Sequence, residues 1–276
     1  NSTIVVALPV ELLAAAGASA QQAASAGLEE IIVTATKKAN SINSTAAAIS
    51  AVTADQLGAG GIEDISDLAT AVPNLSVGDQ FGVNRTFIRG VGMTSIDLGA
   101  DGAVAFLQDG AMIARPSAQL AGFFDLEQVE VLRGPQGTTY GRGATAGVVN
   151  LVTRKPGDTL NGYGRLTVGN FAAKTFEGAV GGPVSDTVGA RVAVKWDQRD
   201  GYGKNLFTGS QIDDRDAVAV RAMVSFAPSD DVKATLIADY FKEDDNNYAF
   251  HYFGTTGTPE DGLGHNLLGG KTIFDY

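Results

Sequence analysis

The sequence predicts an α+β domain over residues 40–156 followed by antiparallel strands over 157–276, and three observations carry that prediction. Short amphipathic helical patterns and short apolar strands mix through the first half. A glycine-rich run, "GPQGTTYGRGATAG", then sits between two apolar strands and closes that half. Beyond it, "TVGARVAVKWDQRDG" and "AVAVRAMVSFAP" alternate apolar and polar residues with the period of two that belongs to strands.

The elements follow in order. An apolar stretch from Ile4 to about Ala18 ends at the small triplet Ala18-Ser19-Ala20, so residues 1–20 read as a signal-peptide remnant cleaved after Ala20. Asn1 stands where Met is expected and no Lys or Arg precedes Lys37, so the N-terminus reads as clipped. No other segment approaches the ~18 continuous apolar residues of a membrane helix, which leaves strands as the means of any membrane crossing. Residues 21–28 are polar and Ala-rich. In "EEIIVTATKK" the β-branched Ile31, Ile32, Val33 and Thr34 favour an extended strand. It has no neighbour at hairpin distance and so reads as an isolated strand seeking an edge.

Thr53 and Gln56 have capping-box spacing, and Gly58, Gly60 and Gly61 end that helix. Ile65, Leu68, Ala69 and Val72 fall at i, i+3, i+4 and i+7, and Pro73 stops a second helix. Strands are expected near Leu75–Val77, Thr86–Arg89 and Val104–Gln108, the last turning through Asp109-Gly110 into Ala111–Ile113. "EQVEVLRG" and "VVNLVT" supply two more. The glycine run between them lacks the Lys-Ser/Thr ending of a phosphate loop, and it leads to another strand rather than a long helix, so its glycines serve turns and close backbone approach.

In the second half, Val188, Ala190, Val192, Val194 and Trp196 share one face, with Arg191, Lys195, Asp197 and Arg199 on the other. Val218, Val220, Val224 and Phe226 likewise oppose Arg221 and Ser225. An apolar face backed by charge suits lipid outside and water inside, although a soluble sandwich with one wet face alternates similarly. Short turns "GGPVSD" and "APSDD" alternate with a longer link, "GYGKNLFTGSQIDD". A net charge of −11 without a basic cluster disfavours nucleic acid, and the absence of cysteine removes disulfides and thiolate chemistry. His251 and His265 have no third ligand nearby, Glu243, Asp244 and Asp245 read as a solvated loop, and no acid–base pair suggests an enzyme. Neither a metal nor a cofactor is expected.

"DLEQVEVLRGPQGTTYGRGATAGVVNLVTRKP", preceded in order by "EEIIVTATKK", "VPNLSV", "TFIRGVG" and "VAFLQDGAMIARP", resembles the TonB-dependent outer-membrane receptors over about residues 29–156. The resemblance implies a plug domain at 40–156, a small mixed sheet with short helices. Residues 157–276 are then the first strands of an antiparallel transmembrane β-barrel, incomplete at this length, and 21–39 carry the TonB box. The location implied is the bacterial outer membrane, with the plug inside the barrel and the box facing the periplasm.

The function implied is active uptake of a scarce ligand, a ferric siderophore before cobalamin, haem or a glycan, energised by TonB and its inner-membrane complex. A passive porin or a surface adhesin is the alternative of another class. A signalling role is disfavoured because only Gln21–Leu28 separate the cleavage point from the box. Ile31, Ile32, Val33, Thr34 and Ala35 are the implied TonB contacts. Arg89 and Arg133 are implied to pair with barrel-wall carboxylates. By order along the plug, Gln80, Phe81, Asn84, Thr94, Ser95, Asp97, Arg115 and Gln119 lie on the outward loops and are the expected ligand contacts.

Overall fold

Backbone pairing sorts the strands into two main sheets drawn from different halves of the sequence. The computed structural model describes residues 4–9, 31–34, 40–45, 47–80, 83–95, 102–204, 209–229 and 231–246. Ile4–Pro9 (β1), Ile32–Val33 (β2) and Asn40–Ser41 (β3) precede β4 (Ala48–Thr53). Thr53 and Gln56 make the reciprocal capping box that opens helix α1 (Ala54–Gly60), and Gly61 closes it in left-handed backbone at φ 61. Asp64 caps α2 (Ile65–Ala71) by accepting from the N–H groups of Ser66 and Asp67.

The hairpin β5 (Leu75–Gln80) and β6 (Val83–Ile88) runs longer than the two short strands expected, and β7 (Val91–Gly92) extends it. β8 (Val104–Gln108) turns through Asp109 and Gly110, both at positive φ, into β9 (Ala111–Met112). β10 (Leu126–Arg133) and β11 (Gly147–Thr153) bracket the glycine-rich run, which contains the short helix α3 (Gly137–Tyr140).

Strands β4, β10, β11, β8 and β9 form, in that order, a mixed sheet whose only parallel pair is β11 with β8. One face carries Val52, Val104, Phe106, Val129, Val131 and Val149, packed with Leu57 of α1 and with Ile65 and Leu68 of α2. Each such large side chain contributes roughly 1.5–3 kcal/mol relative to exposure. The alternate face carries a smaller cluster of Ala105, Leu107, Leu132, Ala144 and Val148. Beside it lie the buried polar residues Gln128, Glu130 and Asn150. The glycine run is explained by close approach: a Cβ on Gly147 would come to 2.2 Å from the Leu132 carbonyl oxygen, so β11 can lie against β10 there only with glycine.

The second half is a meander of β12 (Asn161–Val168), β13 (Lys174–Ser185) and β14 (Val188–Arg199), a small hairpin β15 (Gly203–Lys204) and β16 (Gln211–Ile212), then β17 (Arg215–Ser229) and β18 (Val232–Glu243). β12, β13, β14, β17 and β18 pair antiparallel in one open sheet. The alternation appears in three dimensions. Val192, Trp196, Val224 and Phe226 are exposed, whereas Arg191, Ala193, Lys195, Ala217, Ala219, Arg221 and Met223 are buried. No described helix is long and apolar enough to cross a membrane.

One expectation is corrected here. The segment expected to be an isolated strand pairs locally: Ile32 and Val33 lie antiparallel to Ser41 and Asn40. That partner was invisible because Asn-Ser has little strand preference of its own. The backbone of Ile4–Pro9 runs antiparallel along β12.

Candidate functional site: a docked strand, a charged seam and the apical loops

Three places collect the polar side chains that the fold buries or presents. In the first, β2 is held on the alternate face of the mixed sheet. Glu130 and Asn150 are directly opposed across β10 and β11, so their side chains rise together from that face. Glu130 is fully buried. Its carboxylate accepts from Thr34 N–H (2.7 Å), Thr34 Oγ1 (3.1 Å), Gln128 Nε2 (2.8 Å) and Asn150 Nδ2 (3.1 Å). Gln128 Nε2 also donates to the Ile32 carbonyl at 2.7 Å. Val33 is buried while Ile32 is exposed, so one side chain of the strand anchors it. Ala35 lies outside the described residues. Nothing in the local sequence announces this cluster, since Thr34 and Glu130 are 96 positions apart.

In the second, the segment Phe123–Asp125, just ahead of β10, meets the buried face of β14 and β17, and three cations of those strands take three consecutive residues. Lys195 Nζ donates to the Phe123 carbonyl (3.2 Å), and Arg221 Nη1 donates to that of Phe124 (3.2 Å). The Arg221 guanidinium also lies 4.4 Å from the Phe124 ring centroid. Arg191 makes a two-pronged ion pair with Asp125, Nε to Oδ2 at 2.8 Å and Nη2 to Oδ1 at 2.5 Å, and donates from Nη1 to Asn161 Oδ1 at 2.9 Å. Asp125 N–H donates to Glu177, which also accepts from the Tyr163 hydroxyl. Asp239 joins Arg221 (2.7 Å) to Gln108 of the plug (2.9 Å).

A cavity of about 30 Å³ lies along this seam, lined by Glu63, Arg165, Glu177 and Lys195 among others. Glu63 keeps an exposed surface, but the protein packed around its carboxyl strips enough water to push it above its ordinary range; Lys195 opposes the shift, and Asp197, Asp67 and Glu177 add to it.

The expected arginine pairs do not form among the described residues. Arg133 donates from Nη1 to the Pro73 carbonyl at 3.4 Å, and its buried Nε has no partner. Arg89 sits in left-handed backbone at φ 53 with its side chain beside Gly134. Neither meets a carboxylate among the described residues. In the buried pair of this seam Asp125 supplies the acid and Arg191 of β14 the base.

The third place is the set of loops expected to meet ligand. Thr94, Ser95 and Arg115 are exposed. Asn84 is buried, and it donates to Gln119 Oε1 at 3.1 Å and accepts from Thr86 Oγ1 at 2.7 Å. Gln119 in turn donates to the Ile113 carbonyl at 2.9 Å. These side chains brace the hairpin β5–β6 against the turn Pro116–Leu120, and beside them lies a cavity of about 110 Å³ lined by Thr86, Met93, Phe106 and Met112 among others. Gln80 ends β5, while Phe81 and Asp97 lie outside the described residues. His251 and His265 lie outside them too. Among the described residues no three His, Asp or Glu side chains converge as a metal site.

The TonB-dependent receptor plug domain family matches residues 41–148. The iron-regulated outer membrane virulence protein of Vibrio cholerae is 29% identical over 222 residues, covering 73% of this chain and 33% of that protein. The pesticin receptor of Yersinia pestis is 29% identical over 162 residues, 56% of this chain and 23% of that one. The chain therefore spans about a third or less of the length of these relatives. The crystal structure of the ferric yersiniabactin uptake receptor of Yersinia pestis superposes with a TM-score of 0.62 at 26% identity, over 67% of this chain and 29% of that chain. The ferripyoverdine receptor of Pseudomonas aeruginosa, bound to ferripyoverdine, shares the fold with a TM-score of 0.62 at 22% identity, over 76% of this chain and 27% of that one.

Proposed function

The chain belongs to the TonB-dependent outer-membrane receptors, and from that premise we propose that it is the plug and first wall strands of a transporter for a ferric siderophore. The observation that carries the reading is the two-sided wall. β14 and β17 turn Arg191, Lys195 and Arg221 onto the plug and leave Val192, Trp196 and Phe226 exposed on the other side. That division suits a plug seated inside and lipid outside, with the protein in the outer membrane. Binding and transport suit the same architecture.

In this reading residues 1–20 are an export signal, 21–39 carry the TonB box, 40–156 form the plug and 157–276 begin the barrel. Ile31–Ala35 contact TonB from the periplasm. The ligand meets the outward loops around Thr94, Ser95 and Arg115. The relatives named for ferric yersiniabactin uptake and for ferric enterobactin support a siderophore before cobalamin, haem or a glycan. A vitamin B12 transporter of Vibrio vulnificus, 26% identical over 180 residues, keeps cobalamin as the second reading.

Uptake of radiolabelled ferric siderophore by cells carrying the complete receptor tests the proposal. Accumulation is expected to need TonB and to vanish when Ile32 or Val33 becomes proline, with surface binding retained. Uptake that persists without TonB would overturn active transport in favour of a passive pore.

A further inference from the structure

We propose that TonB adds its strand to one particular edge of β2, the edge bearing the Ile32 carbonyl and the Thr34 N–H, and that Gln128 and Glu130 occupy this edge in the docked state as a side-chain substitute for the partner strand. The inference rests on the reading of Ile31–Ala35 as the TonB contact.

Backbone alternation decides the edge. The Ile31 carbonyl accepts from Ile42 N–H at 3.0 Å, so residues 31 and 33 face β3. Successive residues of a strand direct their backbone groups to opposite edges, so Ile32 and Thr34 face away from β3. On that second edge a neighbouring strand would donate an N–H to the Ile32 carbonyl and accept from the Thr34 N–H. Gln128 Nε2 does the first at 2.7 Å and Glu130 Oε1 does the second at 2.7 Å. Both side chains come from β10, two residues apart on one face, at the spacing an edge repeats. Asn150 Nδ2 steadies the other Glu130 oxygen at 3.1 Å. With β3 on one edge and these side chains on the other, the Ile32 carbonyl and the Thr34 N–H, which a third strand would need, are both already engaged.

Two consequences follow. A partner strand can pair with β2 only after displacing Gln128 and Glu130. The displaced carboxylate, fully buried among neutral donors, then loses the two it receives from Thr34. Docking and TonB pairing are therefore mutually exclusive at the level of single hydrogen bonds.

The test uses the complete receptor in detergent, without siderophore, and the purified periplasmic domain of TonB as the probe. Glu130→Ala and Gln128→Met should each raise affinity for that domain about tenfold or more, and Glu130→Ala should speed amide exchange at Thr34 by a similar factor. Ile32→Pro should abolish binding in every background. Wild-type affinity in both variants, with binding still abolished by Ile32→Pro, overturns the competition and leaves the box reading standing. Equal binding by the Ile32→Pro receptor overturns both. Should Glu130→Ala lose its fold, Gln128→Met, which keeps the shape and removes only the donor, decides the matter through affinity alone.

Discussion

Asp125→Asn is the sharpest probe of how the plug is held. The carboxylate and the Arg191 guanidinium are 1% and 2% exposed, and they are joined by two short bonds. Asparagine keeps the shape and tolerates the left-handed backbone of residue 125 (φ 48), so the change removes little besides the charge. Arg191 is then a buried cation without a counter-charge, left with neutral amide oxygens at residue 125 and at Asn161 (2.9 Å) as acceptors. Breaking one side of a buried pair costs roughly 3–5 kcal/mol. The retained Asn161 bond places the loss near about 3 kcal/mol, or roughly a hundredfold in the seated population. Denaturant unfolding of the plug in the detergent-solubilised complete receptor, read by protease susceptibility, measures it. Adding Arg191→Met should return most of the loss, because it removes the orphaned charge. A single Asp125→Asn variant within about 0.5 kcal/mol of wild type would refute the reasoning, since that is the scale of an ordinary surface substitution.

Further outcomes are expected at three other places. The raised Glu63 pKa means that its folded form resists ionisation; the seam is therefore favoured at low pH and loses that contribution as pH rises through the folded value. Glu63→Gln should accordingly stabilise the plug at neutral pH and change nothing at acid pH, as a pH series of the same unfolding assay would show. Arg115→Ala should weaken siderophore binding several-fold by isothermal titration, whereas alanine at the exposed Glu127 of β10 should leave it unchanged. Gly147→Ala should destabilise the plug by about 1–3 kcal/mol, because the new Cβ meets the Leu132 carbonyl oxygen and Ile88 Cδ1 at 2.2 and 2.7 Å.

What the sequence disclosed was whatever depends on near neighbours. Thr53 and Gln56 announced a capping box that forms, Asp109-Gly110 announced a hairpin that forms, and the alternation around Arg191 and Arg221 separated the two faces of the sheet, though not that the charged face is the buried one. The seam was hidden because it depends on distant pairing: Asp125 and Arg191 are 66 residues apart, and no local pattern distinguishes Asp125 from any other turn acid. The same distance hid the docking of Thr34 on Glu130. Asn84 and Gln119 looked like ligand contacts because they are polar residues in polar loops. Their mutual hydrogen bond became visible only once β6 and the Pro116–Leu120 turn were brought together.

The order in which the chain is made gives the seam a kinetic meaning. Every strand of the mixed sheet is complete by Thr153, whereas Arg191 and Arg221 arrive with later strands. The sheet can therefore collapse around its own apolar face while Asp125 is still hydrated. Locking the segment Phe123–Asp125 must wait for β14 and then β17, and such long-range closures are the slow steps of folding. Maturation of this region is thus sequential, with the inner body first and the wall closing onto it, and a variant that delays β17 should accumulate an intermediate that is folded but loosely held.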